Sequence, residues 1–222
     1  MVTKRSVSLD DEVAASVEEA AKQDGVSFSA WLSTAAEKQL RVRQGLRGVA
    51  AWEGETGSLS AEELAAGEAL LARLRSGVSG VASRVRRRTH RRRLRREGLA
   101  YGLGALHAAA RGDRMMWALH RAALSNGIVP VTAALTVAEG YRTEARSDRL
   151  GELLAGTEVE PFTDEAARRS GEIAARCDTS DLNSIAVVEL AERRNCAVVA
   201  QRQTVLRSAS ALLGHDLVLY AV

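Results

Sequence analysis

The chain has 222 residues, of which 46% are hydrophobic and 27% charged, and its formal net charge is +3. No apolar run approaches the roughly 18 residues of a membrane span, and the N-terminus lacks the basic-then-apolar pattern of a signal peptide. We therefore expect a cytoplasmic protein with one large or two small domains. Two cysteines, Cys177 and Cys196, do not make a disulfide scaffold, and neither has a second Cys or His at metal-ligand spacing.

The first predicted element is a β-strand in the stretch KRSVSLDDEV, close to the N-terminus. Because strand side chains alternate between faces, Lys4, Ser6 and Ser8 share one face. Arg5, Val7 and Leu9 share the opposite face. A strand needs a neighbour for its backbone N–H and C=O groups, and the residues that follow are predicted to be helical. The expected partner is the same strand of a second copy of the chain.

Two helices are predicted after this strand. Asp10 is placed to cap the first helix, and Gly25 is placed to end it. Ser27 is a natural N-cap for the second helix, which is expected to end at about Leu40. Since roughly 40 residues seldom bury a core alone, we expect this strand, helix, helix unit to be completed by dimerisation.

The segment from Lys4 to Leu40, with KRSVSLDDEV followed by GVSFSAWL, resembles a ribbon-helix-helix DNA-binding domain of the kind found in bacterial antitoxins. The resemblance implies that two paired strands enter the major groove and read bases, while the start of the second helix holds a phosphate. The DNA-binding residues implied for residues 1–45 are Lys4, Arg5, Ser6, Ser8, Ser27 and Ser29. The alternative is an ordinary edge strand in a globular fold.

Residues 46–75 contain two amphipathic pieces around GETGSLSAEE. Ser60 and Glu63 have the spacing of a capping box, in which each side chain accepts a hydrogen bond from the other residue's backbone N–H. The stretch resembles the C-terminal tail of VapB-type antitoxins, which wraps around a toxin, and so implies a tail that packs on a toxin-like domain. The alternative is that these helices pack only on their own domain.

Residues 76–97 form an arginine-rich linker with 9 arginines and 1 acidic residue, whereas the rest of the chain is net acidic. A run of this density repels itself into an extended segment, and such arms often contact nucleic acid. The expected auxiliary nucleic-acid contacts are Arg86, Arg87, Arg88, Arg91, Arg92 and Arg93. Because the chain contains 28 arginines and 3 lysines, a plain solvated linker is the alternative.

From residue 98 onward, strand and helix patterns alternate, which is typical of a three-layer α/β domain around a mostly parallel sheet. Strands are predicted in GIVPVT, TEVEPF, CAVVA and DLVLYAV, and helices in DEAARRSGEIAARC and DLNSIAVVELAERR. The segments GALHAAARGDRMMWALHRAAL, TVAEGYR, TSDLNSIAVVELAERRNCAVVA and LGHDLVLYAV resemble a VapC-type PIN domain, the ribonuclease toxin that partners such antitoxins. This resemblance covers essentially all of residues 98–222.

The resemblance also implies that the PIN-like domain is degenerate. A PIN nuclease holds Mg²⁺ or Mn²⁺ among several carboxylates, because hard cations prefer oxygen ligands. Of the four acidic positions of the family, Glu139 is kept, whereas two others fall on Gly102 and Ser184. The fourth falls on Arg202 or its neighbour Gln201, and the permanent positive charge of Arg202 opposes metal binding. Asp181, one helical turn before Ser184, is expected to face the same cleft, where Arg202 would pair with it and with Glu139.

The sequence therefore predicts a homodimeric, sequence-specific DNA-binding transcriptional regulator derived from a fused toxin and antitoxin. We expect no enzymatic activity, no metal, no cofactor and no membrane partner. Two other classes stay open. One is a regulator that binds RNA or a nucleotide ligand in the emptied PIN cleft. The other is a residual metal-dependent ribonuclease in which Asp113, Glu139 and Asp181 rebuild a metal site.

Overall fold

A computed structural model describes residues 6–76, 96–144, 147–200, 205–206, 208–209 and 219–220. The helices are α1 (Asp11–Gln23), α2 (Phe28–Thr56), α3 (Ala61–Arg75), α4 (Leu103–Ala110), α5 (Arg114–Ser125), α6 (Ala134–Thr143), α7 (Ser147–Ala155), α8 (Asp164–Arg176) and α9 (Leu182–Arg193). The strands are β1 (Gly98–Tyr101), β2 (Val131–Ala133), β3 (Glu158–Glu160), β4 (Cys196–Val199) and β5 (Leu219–Tyr220).

The chain divides into two compact units, which we call the N-terminal unit (residues 1–40) and the sheet unit (residues 41–222). The division falls inside α2, so the prediction that the second helix ends near Leu40 is wrong. Gly45 and Gly48 weaken the helical propensity of the sequence that follows. In the structure both glycines pack so closely against Gly156 and Glu152 that a side chain would not fit, and the helix continues through them.

The turn between α1 and α2 follows the sequence closely. Gly25 has a φ of +67° just beyond α1, and the N–H of Val26 donates to the carbonyl of Ala21 at 3.0 Å, a glycine-dependent helix ending. The Ser27 hydroxyl caps α2 by accepting from the N–H three residues later at 3.2 Å. The predictions for Gly25 and Ser27 are thus confirmed. Asp10 occupies the N-cap position of α1, although its side chain makes no capping hydrogen bond.

Residues 6–10 precede α1 and belong to no regular element in the single chain. A strand is defined by the hydrogen bonds to its neighbour, and the neighbour expected here is a second copy. The ribbon therefore stays a prediction.

The sheet unit is an α/β domain, as predicted. Its five described strands are all parallel and lie in the order β3-β2-β1-β4-β5. β1 is central, and its Ala100 is in register with Val131 on one side and Val198 on the other. β1 and β4 have buried side chains on both faces, which is typical of a parallel sheet covered by helices.

Two apolar clusters lie on opposite faces of the sheet. Because side chains alternate along a strand, Leu99 and Tyr101 of β1 join the cluster that contains α3, α5, α7 and the end of α2. Ala100 and Val198 join the second cluster, with α8 and α9. The three layers expected from the alternating pattern are thereby present.

The end of α2 and the whole of α3 belong to the sheet unit, and we call residues 41–75 the helical hairpin. The predicted capping box starts α3: the Ser60 hydroxyl accepts from the N–H of Glu63 at 3.2 Å, and the N–H of Ser60 donates to the Glu63 carboxylate at 2.7 Å. α3 then packs along α5, where Gly67 meets the backbone of Ala118. The hairpin therefore covers one face of the domain in the same chain.

Candidate functional site

A cleft opens at the carboxyl ends of the two central strands, the usual place for a site in an open parallel sheet. The space in it that a water-sized molecule can occupy is about 30 Å³, and the cleft is partly open to solvent. It is lined by Gly102, Leu103, Gly104, Asp181, Asn183, Ser184, Val187, Ala200 and Leu206. Gly102, Asp181 and Ser184, which the sequence assigned to one cleft, are thus brought together.

Asp181 serves as the N-cap of α9. Its Oδ1 accepts from the N–H of Ser184 at 3.0 Å, and its Oδ2 accepts from the Ser184 hydroxyl at 2.6 Å. Both carboxylate oxygens of Asp181 therefore accept hydrogen bonds from Ser184. A cation in the cleft would have to compete with these two hydrogen bonds for the Asp181 oxygens.

Gly102 begins α4 at the edge of the cleft and is held through its backbone. Its N–H donates to the carbonyl of Val199 at 2.9 Å, and its own carbonyl accepts from the N–H of Ala105 at 2.9 Å. A Cβ added at Gly102 would lie 3.0 Å from the Cβ of Ala200, closer than ordinary side-chain packing. An acid at this position would require the segment after β4 to move by a few tenths of an ångström.

Glu139 is engaged on its own helix rather than in the cleft lining. Its carboxylate accepts from the Arg142 guanidinium at 2.5 and 2.8 Å. These hydrogen bonds hold the pKa of Glu139 below its usual value, so the carboxylate stays charged. Glu139 forms an ion pair with Arg142. Its predicted pairing with Arg202 stays a prediction, because Arg202 lies outside the described residues.

The rival metal site is not assembled in the described part of the chain. Asp113 caps α5, where its carboxylate accepts from the N–H of Met116 at 2.8 Å. Within the ranges that the structure describes, no group of three or more His, Cys, Asp or Glu side chains is arranged to hold a metal ion. Instead, Asp113 and Asp181 cap the starts of α5 and α9, and Glu139 pairs with Arg142 within α6.

The predicted DNA-binding residues fall in two places. Ser6 and Ser8 are exposed ahead of α1. Ser27 and Ser29 are exposed at the start of α2, where their hydroxyl oxygens lie 3.4 Å apart. Lys4, Arg5 and the six linker arginines, Arg86, Arg87, Arg88, Arg91, Arg92 and Arg93, lie outside the described residues.

Two side-chain contacts of residues assigned to the cleft or lining it were not predicted from the sequence. Asn183 lines the cleft, and its side-chain oxygen accepts from the Thr136 hydroxyl at 2.9 Å, which joins α6 to α9. No local signal marks this pair, because the two residues are far apart in the chain. Arg142, in contrast, lies three residues after Glu139, a helical ion-pair spacing that could have been recognised.

No protein-family model, curated protein or solved structure matches this chain. Among the described helices, none combines the length and the apolar character that crossing a bilayer requires. A function for this chain is therefore inferred from the geometry of the cleft and from the order of its segments.

Proposed function

We propose that this chain is a homodimeric, DNA-binding transcriptional regulator derived from a fused VapB-type antitoxin and a VapC-type PIN toxin that has lost its nuclease site. The observation that carries this proposal is the composition of the surface of the N-terminal unit. Among residues 6–40, the buried apolar side chains are Val17 and Ala21, whereas Val7, Val13 and Leu40 are 68%, 46% and 57% exposed. A second copy would bury these side chains and supply the missing strand.

Ser6, Ser8, Ser27 and Ser29, the predicted DNA-contacting residues that the structure describes, are exposed in the single chain. Ser6 and Ser8 expose short hydroxyl side chains, which accept or donate hydrogen bonds at base edges. The first N–H groups of α2, next to Ser27, are suited to a DNA phosphate because of the partial positive charge at a helix N-terminus. The arginine-rich linker would add phosphate contacts without sequence preference.

The geometry of the cleft supports a regulator rather than a nuclease. Gly102 supplies no carboxylate, Asp181 binds Ser184, and Glu139 binds Arg142. A site that must attract a divalent cation needs several acidic oxygens with free lone pairs. Among the described residues that line the cleft, Asp181 supplies the carboxylate oxygens, and both of them already accept hydrogen bonds from Ser184.

The test is binding of the purified protein to DNA from upstream of its own gene across a salt series. A variant with Lys4→Ala, Ser6→Ala and Ser8→Ala is compared with Ser125→Ala, which removes an exposed hydroxyl from the sheet unit. We expect wild type and Ser125→Ala to bind selectively, and the triple variant to keep only salt-sensitive, sequence-independent affinity. Equal, unselective binding by all three proteins would overturn the proposal.

The dimer is tested separately by sedimentation of wild type and Val13→Asp. A charge at Val13 is expected to dissociate the dimer, since burying an unpaired carboxylate at an interface is costly. Glu19→Asp, on the same helix and already charged, is the matched control and should leave the mass unchanged. A wild-type protein that sediments as a monomer at micromolar concentration contradicts the proposed assembly.

A second function, binding of a nucleotide or RNA in the cleft, is favoured by one observation. The cleft is partly open to solvent, and Gly102 and Ser184 stand where the PIN resemblance expects acids, so an anionic ligand would meet less negative charge there. Thermal unfolding with and without ATP, GTP or a short RNA tests it, with Asn183→Ala as the cleft variant. A rise in the midpoint that Asn183→Ala abolishes supports ligand binding, and no rise with any of them contradicts it.

A further inference from the structure

The hairpin interlocks with the face of the sheet unit formed by α5 and α7, which we call the docking face. Three glycines make this possible, because a Cβ at each would collide with backbone atoms. Such an atom at Gly67 would lie 2.6 Å from the carbonyl oxygen of Ala118, and one at Gly48 would lie 2.5 Å from that of Glu152. A Cβ at Gly45 would lie 2.5 Å from the Cα of Gly156. The docking face therefore fits a helix pair with glycines at these positions.

Arg114 of the docking face holds the turn between the two helices of the hairpin. Its guanidinium donates to the carbonyl of Ser58 at 2.8 Å and to the Glu63 carboxylate at 2.9 Å. This bonding keeps the pKa of Glu63 low, at about 2, so the pair stays charged. The same guanidinium lies 5.6 Å from the centre of the Trp52 ring, which stacks on Trp117 at 5.0 Å.

Further charge pairs join the hairpin to the docking face along its length. Glu53 accepts from Arg121 at 2.8 Å, and Glu55 accepts from Arg149 at 3.3 Å. In these pairs the acid belongs to the hairpin and the arginine to the docking face, an arrangement that fixes the register of the two surfaces.

The two described ends of the chain around the linker also meet on this unit. The N–H of Arg96, just before β1, donates to the carbonyl of Arg75, the last residue of α3, at 3.0 Å. When the hairpin packs on its own chain, the end of α3 therefore already lies beside the start of the sheet, and the linker has no gap to bridge. A hairpin seated on a second copy would need a linker long enough to cross between two sheet units. Because these ends already meet, the hairpin has a higher effective concentration at the docking face of its own chain than at that of a second copy.

We infer that, in the homodimer, each hairpin stays on the docking face of its own chain, so this face is closed to the hairpin of the second copy. This inference rests on the dimer of the proposed function. It assigns the contact between copies to surfaces other than the docking face. It also makes the antitoxin-like tail a permanent part of the sheet unit rather than an exchangeable partner.

The test uses the full chain with cysteines at Glu68 and Asn126, two exposed residues on α3 and just after α5. The side-chain nitrogen of Asn126 lies 3.1 and 3.2 Å from the two carboxylate oxygens of Glu68. Cys177, which is partly accessible, is replaced by serine. The dimer is first verified by sedimentation, then treated with a short bismaleimide cross-linker and separated under denaturing conditions. The Glu68→Cys and Asn126→Cys single variants are the controls for contacts between copies.

A dimer whose cross-linked product has the mass of one chain supports the inference. A product of two chains that appears in the double variant, but in neither single variant, overturns it, because the hairpins are then exchanged. A monomer before cross-linking overturns the proposed dimer, and the inference with it. If the first pair of cysteines disturbs folding, Glu55→Cys with Arg149→Cys tests the same contact from the α7 side.

Discussion

The N-terminal unit and the sheet unit differ in how much apolar surface each buries by itself. In residues 6–40, two apolar side chains are buried, and large ones such as Val7 remain mostly exposed. The sheet unit has two apolar clusters on opposite faces of one sheet, with Trp52, Trp117 and Val198 inaccessible to solvent. Burial of apolar area is the main favourable contribution to folding, so the two units are not equally self-sufficient.

This difference indicates where each unit depends on a partner. The sheet unit has its covering helices within the same chain, since the hairpin belongs to its core. In the described part of the N-terminal unit, the predicted strand has no neighbour, and apolar side chains such as Val7 and Val13 stay exposed. We therefore expect substitutions in the two units to act on different quantities, namely the free energy of unfolding of the sheet unit and the association of the N-terminal unit.

The largest effect is expected for Trp52→Ala. Trp52 is fully buried and stacked on Trp117, so its removal leaves a cavity and should lower the free energy of unfolding by about 3–5 kcal/mol. Trp31→Ala is the counterpart in the N-terminal unit, where Trp31 is half-buried and donates to Asp24 at 3.1 Å. Urea unfolding followed by circular dichroism compares the two. Equal losses in the sheet-unit transition would contradict the distinction between the units.

The second comparison uses two helical glycines of the hairpin. Gly67→Ala should lower stability by about 1–3 kcal/mol, because the carbonyl of Ala118 cannot move aside without shifting α5. A Cβ at Gly54 would have no atom within 4 Å, so Gly54→Ala should stabilise α2 by about 0.5–1 kcal/mol. Thermal unfolding measures both. A stabilising Gly67→Ala would show that the docking face is looser than the contacts indicate.

The sheet unit should also be sensitive to acid, whereas residues 1–40 contain no histidine. His120 is fully buried, with its Nδ1 3.1 Å from the Tyr101 hydroxyl, and burial lowers its pKa from 6.5 to about 3. The folded state therefore holds neutral His120, whereas the unfolded chain binds a proton as the pH falls below about 6.5. Stability is present above that pH and is lost between about 6.5 and 3.

Between pH 7 and pH 5, this one group should lower the free energy of unfolding by about 2 kcal/mol. Urea unfolding of wild type and His120→Gln at the two pH values measures this effect. The loss of free energy of unfolding from pH 7 to pH 5 should be smaller in the variant by about 2 kcal/mol. Any loss of packing in the variant is present at both pH values and cancels. An unchanged pH dependence in His120→Gln would refute a buried, neutral His120.

The smallest effects are expected at the two serine caps. Ser60→Ala removes the hydroxyl that accepts from Glu63 and should lower the stability of the sheet unit by about 1 kcal/mol. Ser27→Ala removes the matching cap of α2 and should act on the N-terminal unit and on DNA affinity, leaving the sheet-unit transition in place. Chemical unfolding and DNA titration of both variants separate the two effects. A loss of DNA affinity in Ser60→Ala alone would reverse the assignment.

Much of the fold was predictable because its signals are local. The continuous apolar run of CAVVA indicated β4, and the amphipathic pattern of DEAARRSGEIAARC indicated α8. Ser60 and Glu63 marked the start of α3 through their spacing alone. The end of the second helix was not predictable, because Gly45 and Gly48 lower helical propensity locally, whereas their close packing is with residues about a hundred positions away.

The candidate site was predictable in its location and less so in its chemistry. Gly102, Asp181 and Ser184 do line one cleft. That Ser184 engages Asp181 follows from the three-residue spacing of a helix cap and could have been anticipated. The link from Asn183 to Thr136 could not, since it depends on how α6 and α9 meet.

The sequence by itself determined the parallel α/β architecture, the break between α1 and α2, and the meeting of Gly102, Asp181 and Ser184 in one cleft. These features depend on hydrophobic periodicity, on helix-capping residues and on residue identity, all of which act over a few positions of the chain. The tertiary structure decided the rest: the docking of the hairpin, the hold of Arg114 on Ser58 and Glu63, and the buried His120 beside Tyr101. These contacts join residues tens of positions apart, and their energy exists only after the chain has closed and excluded water around them.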